Sequence, residues 1–221
     1  MYVLMVETAA TLPDARDPLT RDRIARAALA VVDAEGLEAL TMRRLAAELG
    51  AAPMSAYAHF AGKRELLAEV VDAVLGDVEL PEIDGRWRKP IRRLAGWARS
   101  ALRSDPAVMP AFHASGGRGR NALAVLDRAH GILRGAGFPD EQVVRVVDTI
   151  HAFILGSAAL EIAWASLDPA SRHAQIFAVP QSAYPDLTAV MPQVVASSGD
   201  DRFRYGLDRI LDGVAAARRS T

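Results

Sequence analysis

The sequence contains no cysteine. This absence excludes a disulfide-bonded scaffold and a thiolate metal site, and it fits the reducing cytoplasm, where we expect the protein to be located. Lysine is almost absent too, since only Lys63 and Lys89 occur. The formal net charge is −1, so the whole molecule is not a polycation. Any contact with nucleic acid must therefore come from a local cluster of basic side chains.

The sequence also lacks a catalytic or metal-binding pattern. Its five histidines are scattered, and no paired carboxylates, Ser-His-Asp order or metal-ligand spacing stands out. The glycine-rich segment at residues 115–120 lacks the lysine and the hydroxyl of a phosphate-binding P-loop and follows no predicted strand. We therefore predict a loop there, and we expect no enzyme activity, no metal and no cofactor. A helical enzyme is the alternative from another functional class.

Long hydrophobic runs are scarce. Residues 1–18 begin with a short apolar run and continue as a polar stretch, whereas a signal peptide would need a basic start and a longer apolar core. We predict a flexible N-terminal arm. The longest apolar run spans residues 141–167, but its uncharged centre at residues 149–160 has only 12 residues, too few to cross a bilayer. We expect no membrane partner.

Residues 41–63 contain two short apolar-patterned segments joined at Gly50. Thr41 is a plausible cap for the first helix, because its hydroxyl can accept hydrogen bonds from the free amides of the first turn. Pro53 suits the first turn of the second helix, where its missing N–H costs nothing. Apolar residues recur at helical spacing in the first segment: Met42, Leu45, Ala46 and Leu49. The pattern predicts two helices of about two turns each.

Helices this short need a third helix on which to pack. The preceding segment supplies it, with Thr20 as a plausible cap and Gly36 as a plausible end. Small residues at positions 50–52 suit the tight turn of a helix-turn-helix, in which the second helix enters the DNA major groove. An αα-corner without DNA-binding activity would show the same spacing.

Polar and basic side chains cluster at the far end of this stretch. Ser55, Tyr57 and His59 are separated only by alanines, so the outer face of the second helix is open enough to approach base edges. Lys63 and Arg64 begin the next helix, where two cations oppose the macrodipole, and a bound phosphate would explain this arrangement. A solvated basic turn is the alternative.

The runs LTMRRLAAELG at residues 40–50 and YAHFAGKRELL at residues 57–67 resemble the DNA-binding domain of the TetR family of bacterial transcriptional regulators. The resemblance is detailed over residues 19–75 and continues as a looser helical pattern to the C-terminus. It implies a homodimeric repressor that binds a palindromic operator in double-stranded DNA and is released by a small-molecule effector. A ligand-blind regulator controlled by a protein partner is the alternative within the same class.

The resemblance also implies an all-α fold with two domains. An N-terminal three-helix helix-turn-helix domain would span residues 19–76, and a C-terminal helical domain for effector binding and dimerisation would span residues 86–221. The sequence supports a boundary between them, because the helical pattern breaks at residues 76–85 around Pro81. Beyond the break, apolar spacing predicts helices over residues 86–104, 106–114, 121–135, 141–167 and 200–218, while residues 187–195 are ambiguous.

Site residues for DNA follow from position in the family pattern. Arg43 and Ser55 are the candidates for reading bases, and Met54 and Ala56 would line the groove beside them. Arginine suits this role because its guanidinium can bind both acceptors of a guanine. Ala52 departs from the pattern, since many members have a polar cap there. The residues implied to hold backbone phosphates are Thr41, Arg44, Tyr57, His59 and Lys63.

The resemblance further implies a ligand pocket of the tetracycline-repressor type within the C-terminal helices. The histidine and glutamate set with which that type holds a metal-chelated drug cannot be placed in this sequence. Phe153 is a further lining candidate, and Glu161 is a possible polar anchor. The residues that we predict to form the pocket are Trp97, Met109, Phe112, His113, Leu126, His130, Asp148, His151 and Trp164.

The apolar run at residues 141–167 must be buried on nearly all sides. In so small a domain this indicates a subunit interface, and small residues would allow a partner helix to approach closely. The resemblance implies that this helix and the last one pair with their copies in a four-helix dimer interface. The predicted interface residues are Gly156, Ala159, Phe203, Leu207, Ile210, Leu211 and Val214.

Overall fold

The computed structural model describes residues 19–52, 55, 58–76, 79–104, 108–117, 119–168 and 178–219. Over these residues the chain is all-α, as predicted, and contains no strand. The predicted arm, residues 1–18, lies outside the described residues, as do Met54, Ala56 and Tyr57.

The described part of the chain forms nine helices. They are α1 Arg21–Glu35, α2 Met42–Leu49, α3 Lys63–Leu75, α4 Arg88–Ser104, α5 Val108–Ser115, α6 Arg120–Gly135, α7 Asp140–Ala165, α8 Pro185–Ala196 and α9 Gly199–Arg219.

The first two helices begin and end where the capping residues predict. The Thr20 hydroxyl accepts a hydrogen bond from the Arg23 amide at 3.2 Å, and the Thr41 hydroxyl accepts one from the Arg44 amide at 3.1 Å. Each bond satisfies one of the amides that a helix start leaves without a partner. Gly50 ends α2 in the left-handed conformation, with a φ of 61°, which favours glycine.

The ambiguous segment at residues 187–195 is helical. It belongs to α8, where a proline lies in the first turn at Pro185 and pre-sets a helical φ. Of its side chains only Met191 is buried, and its exposed large apolar side chains are Leu187, Val190, Val194 and Val195.

The long helix α7 is central to the C-terminal core. It packs against α4, α6 and α9, and the side chains that it buries recur at helical spacing: Val143, Val147, Ile150, Ile154 and Ala158. Its 26 residues are long and apolar enough to cross a membrane. Such a length and composition are weak evidence for a membrane span; α7 packs against three helices of its own chain, and 33% of its most apolar window is buried.

Helix α3 joins two hydrophobic cores. The first core lies among α1, α2 and α3 around Phe60, and it extends to Ala111 on α5 and Ala122 on α6. The second core lies among α4, α5, α6, α7 and α9. Because α3 packs against both α1 and α5, it connects the N-terminal helices to the C-terminal helices.

Candidate nucleic-acid interface and apolar cavity

The two arginines of α2 have different surroundings. Arg43 is exposed and makes no ion pair with another described residue. Arg44 is held on both sides, since its Nε lies 2.8 Å from Glu35 Oε1 and its Nη1 lies 2.8 Å from Glu48 Oε2. The hydrogen bonds that Arg44 donates to Glu35 and then to Glu48 raise the pKa of Arg44 above its ordinary value. Arg43 is therefore free to reach DNA, whereas Arg44 would have to leave two carboxylates to bind a phosphate.

The other described candidates border the same surface. Lys63 Nζ donates to the Leu37 carbonyl at 3.0 Å and is exposed, which leaves two of its three N–H donors for a phosphate. Thr41 is exposed, and its hydroxyl can still donate its own hydrogen. His59 and Ser55 are half-buried. The Ser55 amide donates to the Ala52 carbonyl at 2.9 Å, so backbone closes the turn where the family pattern would place a side-chain cap.

Arg21 braces the helix-turn-helix in a way that the sequence does not reveal. Its Nη2 lies 2.9 Å from Glu65 Oε1 and 2.8 Å from Glu69 Oε2, and its guanidinium lies 4.2 Å from the centre of the Phe60 ring. The Ala61 amide and then Arg21 lower the pKa of Glu65. The two ion pairs fix the start of α1 against α3, and they connect residues that are 44 and 48 positions apart in the chain.

Arg64 contacts the C-terminal helices. Its Nε donates to the Ser115 carbonyl at the end of α5, at 3.3 Å. A Cβ atom on Gly116 would lie 3.0 Å from Arg64 Nη2. Of the two cations predicted to face a phosphate, Lys63 lies beside the helix-turn-helix surface, whereas Arg64 joins α3 to α5.

An apolar cavity lies between α4, α5, α6 and α7, and Leu75 at the end of α3 also lines it. The space that a water-sized molecule can occupy is about 90 Å³, within about 760 Å³ of empty space that includes the open mouth. Among the lining side chains that the structure describes, only those of Trp97 and His151 carry a nitrogen atom. Four residues predicted for the pocket line the cavity: Trp97, Phe112, Leu126 and His151.

The remaining predicted pocket residues lie elsewhere. Met109 is buried in the second core, His113, Asp148 and Trp164 are exposed, and the Nδ1 atom of His130 lies 2.6 Å from the Leu126 carbonyl in its own helix. Helix geometry explains these differences, because only one face of each helix borders the cavity. On α7 this face recurs at spacings of three and four residues: Val147, Ile150, His151, Ile154 and Leu155. Asp148 lies off this face, and Trp164 lies beyond its end.

The two side chains suggested as additional pocket candidates have partners within the protein. Phe153 stacks on Phe203 with 5.3 Å between ring centres. Glu161 accepts from Arg99 at 2.6 Å and from Arg103 Nε at 2.6 Å, and Arg99 also contacts Asp200 at 2.8 Å. Hydrogen bonding to Arg99 lowers the pKa of Asp200. This ion network joins α4, α7 and α9, and Glu161 is not among the residues that line the apolar cavity.

The predicted dimer residues fall into two groups. Phe203, Leu207 and Leu211 are buried inside the core of their own chain, which corrects their assignment to a partner surface. The inward stripe of α9 is already used by α4 and α7, and a periodic pattern indicates burial without indicating the partner. The other four predicted residues are half-buried or exposed and remain available to a second subunit: Gly156, Ala159, Ile210 and Val214.

Within the described ranges, no three His, Cys, Asp or Glu side chains are grouped in a way that could hold a metal ion.

Comparisons with known families match both halves of the chain. Residues 24–70 match the family described as bacterial regulatory proteins, tetR family, and residues 80–218 match the family described as tetracyclin repressor-like, C-terminal domain.

Individual relatives extend over most of the chain. The HTH-type transcriptional repressor DrrR1 of Streptomyces coeruleorubidus is 31% identical over 211 residues, covering 89% of this chain and 77% of DrrR1. The class A tetracycline repressor protein from transposon 1721 of Escherichia coli is 31% identical over 205 residues, covering 90% of this chain and 92% of the repressor.

Solved structures agree with the sequence relatives. The crystal structure of the TetR family protein ActR from Streptomyces coelicolor, in complex with actinorhodin, superposes with a TM-score of 0.77 at 32% identity. The superposition covers 90% of this chain and 97% of the ActR chain. Members of the family are transcriptional regulators rather than enzymes, which removes the support for the enzyme alternative. With a helix-turn-helix surface, a C-terminal helical cavity and relatives over nine-tenths of its length, the chain belongs to the TetR family of transcriptional regulators.

Proposed function

We propose that this regulator is a cytoplasmic homodimer that represses transcription from a palindromic operator and releases the DNA when a small apolar molecule occupies its cavity. One observation carries the proposal. Helix α3 borders the apolar cavity at Leu75 and the helix-turn-helix surface at Lys63. A change in the cavity therefore reaches the DNA-binding surface through a single helix.

The DNA side of the proposal depends on Arg43 and Lys63. Arg43 is unpaired among the described residues and can read a base edge, while Lys63 retains donors for a phosphate. In a two-fold dimer, the two recognition helices would lie about 34–36 Å apart, in successive major grooves. We propose that Gly156, Ala159, Ile210 and Val214 contribute to the dimer interface.

The ligand side depends on the cavity. Its lining favours a largely apolar molecule with one polar group near His151, beside the rings of Trp97 and Phe112. The space for water-sized molecules, about 90 Å³, is smaller than the roughly 300–1,000 Å³ of typical ligand pockets. A larger ligand would therefore have to separate the walls. ActR, which is 32% identical to this chain, has been crystallised in complex with actinorhodin, and this supports a small-molecule ligand for the present chain.

Release then follows from a shift in populations. A ligand that binds better to the open-cavity conformation favours that conformation, by no more than its difference in affinity for the two states. Opening the walls moves α3 and alters the spacing of the two recognition helices. The cavity also favours a ligand-responsive regulator over a ligand-blind one controlled by a protein partner.

Selection of binding sites from random double-stranded DNA tests the proposed function. We expect recovery of a palindrome whose half-sites are centred about one helical turn, or a multiple of it, apart. Sedimentation of the protein with the selected DNA should give two chains per site. Enrichment of no sequence, or of a single asymmetric half-site, would contradict the proposed dimeric operator binding.

Filling the cavity should abolish ligand binding. The replacement Ala129→Phe places a ring in the apolar space next to Leu126, so we expect the affinity for the neutral fluorescent probe N-phenyl-1-naphthylamine to fall at least about tenfold. Probe fluorescence titration measures this affinity. The replacement Ala114→Phe, at an exposed position of α5, is the matched control and should leave it unchanged. Equal affinity in both variants would show that the probe binds elsewhere.

A further inference from the structure

Gly117 and Gly119, in the glycine-rich segment after α5, each lie against a side chain of the protein. A Cβ atom on Gly119 would lie 2.1 Å from Asp72 Oδ1, and one on Gly117 would lie 2.5 Å from the Phe112 ring. Both distances are shorter than a non-bonded contact allows. The glycines therefore keep space for other groups, and at Gly119 that group is a carboxylate from α3.

Asp72 caps the start of α6 from a different helix. Only 8% of Asp72 is exposed, and its two carboxylate oxygens lie 3.0 and 3.1 Å from the Asn121 amide. The capping position of α6 is Gly119, which has no side chain to accept that bond. A carboxylate at a helix start satisfies a free amide and is favoured by the macrodipole. Asp72 supplies both effects across the boundary between α3 and α6.

The contact is reciprocal. The Asn121 side chain donates from Nδ2 to the Asp72 carbonyl at 3.1 Å, and this carbonyl also accepts from the Gly76 amide at 2.9 Å. The end of α3 and the start of α6 therefore satisfy each other's free backbone groups. We call these hydrogen bonds the Asp72–Asn121 clasp.

The clasp lies at the wall of the cavity. On α6, Ala122 and Val125 follow it and line the cavity, and on α3 the lining residue Leu75 is one turn away from Asp72. Separating the cavity walls moves the start of α6, and the clasp makes the end of α3 move with it. Helix α3 is about 20 Å long, because it has 13 residues and each adds about 1.5 Å. The end of α3 opposite the clasp carries Lys63.

We propose that Asp72 is a positioning residue that couples occupancy of the cavity to operator binding. This inference rests on the proposed function. With the clasp intact, α3 follows the cavity wall. Without it, the cavity still binds ligand and the helix-turn-helix still binds DNA, but each site no longer responds to the other.

The test measures coupling between the two sites. The affinity of N-phenyl-1-naphthylamine is determined for the free full-length protein and for its complex with the selected operator. Because coupling is reciprocal, the probe changes the affinity of the protein for the operator by the same factor as the ratio of these two affinities. For the unmodified protein we expect a ratio of about 5–150. Asp72→Asn should lower this ratio to about 2 or less, because the amide removes the charge and one acceptor.

Two further variants change the clasp without changing its charge. Gly119→Ala places a methyl group where the carboxylate lies, and Asn121→Ala removes only the bond to the Asp72 carbonyl. We expect both to lower the ratio, Gly119→Ala more strongly. Asp127 is an exposed acid on α6. The replacement Asp127→Asn is therefore the matched control and should keep the affinity ratio of the unmodified protein. If Asp72→Asn does not fold, the other two variants decide the result.

The outcomes separate the inference from the function on which it rests. Clasp variants that have a lower melting temperature but keep the original ratio would overturn the inference, since a merely structural role predicts that result. An unmodified protein that binds operator and probe with a ratio of 1 would also overturn it, although operator binding would stand. Failure of the site selection itself would instead contradict the proposed function.

Discussion

Replacing Glu161 with alanine should lower the free energy of unfolding by about 3–5 kcal/mol. The side chains of Glu161 and Arg99 are only 12% and 8% exposed, so removal of the carboxylate leaves a buried guanidinium without its main partner. Asp200 still contacts Arg99, and we therefore expect the lower end of this range. Each kcal/mol corresponds to about 2–4 °C in melting temperature for a protein of this size, which thermal denaturation resolves.

An exposed ion pair on the same helix provides the control. Glu141 and Arg145 are both 76% exposed, and Glu141→Ala should cost no more than about 0.5 kcal/mol. Replacing Arg99 and Glu161 together with leucine should restore much of the stability, because no buried charge is then left unpaired. A Glu161→Ala variant as stable as Glu141→Ala would show that the network is not buried in solution.

Replacing Arg43 with alanine should relax the choice of base at one position of each operator half-site. A bidentate contact between arginine and guanine contributes about 1–3 kcal/mol of discrimination, so the preference at that position should fall about 5- to 150-fold. Lys63→Ala should instead weaken binding to all sequences equally and reduce the slope of log affinity against log salt by about 1 per subunit. Binding titrations on the selected operator and its single-base variants, at several salt concentrations, measure both effects.

The only other lysine provides the control for these variants. Lys89 is exposed on α4, away from the helix-turn-helix, and Lys89→Ala should alter neither the base preference nor the salt slope. Because Lys63 also donates to the Leu37 carbonyl, a melting curve of Lys63→Ala must accompany the titrations. Unchanged operator binding in both Arg43→Ala and Lys63→Ala would refute the proposed contacts.

Local chemistry made the helix-turn-helix predictable from sequence. The hydroxyls of Thr20 and Thr41 and the left-handed conformation at Gly50 act within one turn of their own helix, so neighbouring residues are enough to recognise them. The segment at residues 187–195 is ambiguous from its apolar pattern alone, because the proline that favours its helix, Pro185, lies before it. The family resemblance supplied the function of these elements, which capping alone does not indicate.

The features that escaped prediction depend on residues far apart in the chain. Glu161 and Arg99 are separated by 62 positions, and Asn121 and Asp72 by 49. A pattern of apolar spacing reports that a helix face is buried, but not which surface covers it. For that reason Leu207 was expected at a partner interface and lies in the core of its own chain, and Glu161 was expected near a ligand and lies in an ion network.

The small free space of the cavity also has a consequence in time. Since its free space of about 90 Å³ admits only very small molecules, a larger effector enters only while the walls are apart. The rate of association is then limited by how often the cavity opens, and it levels off as effector concentration rises. Openings of this kind take microseconds to seconds. An effector of the proposed kind would therefore act through its sustained concentration, and pulses shorter than the interval between openings would leave the protein unchanged.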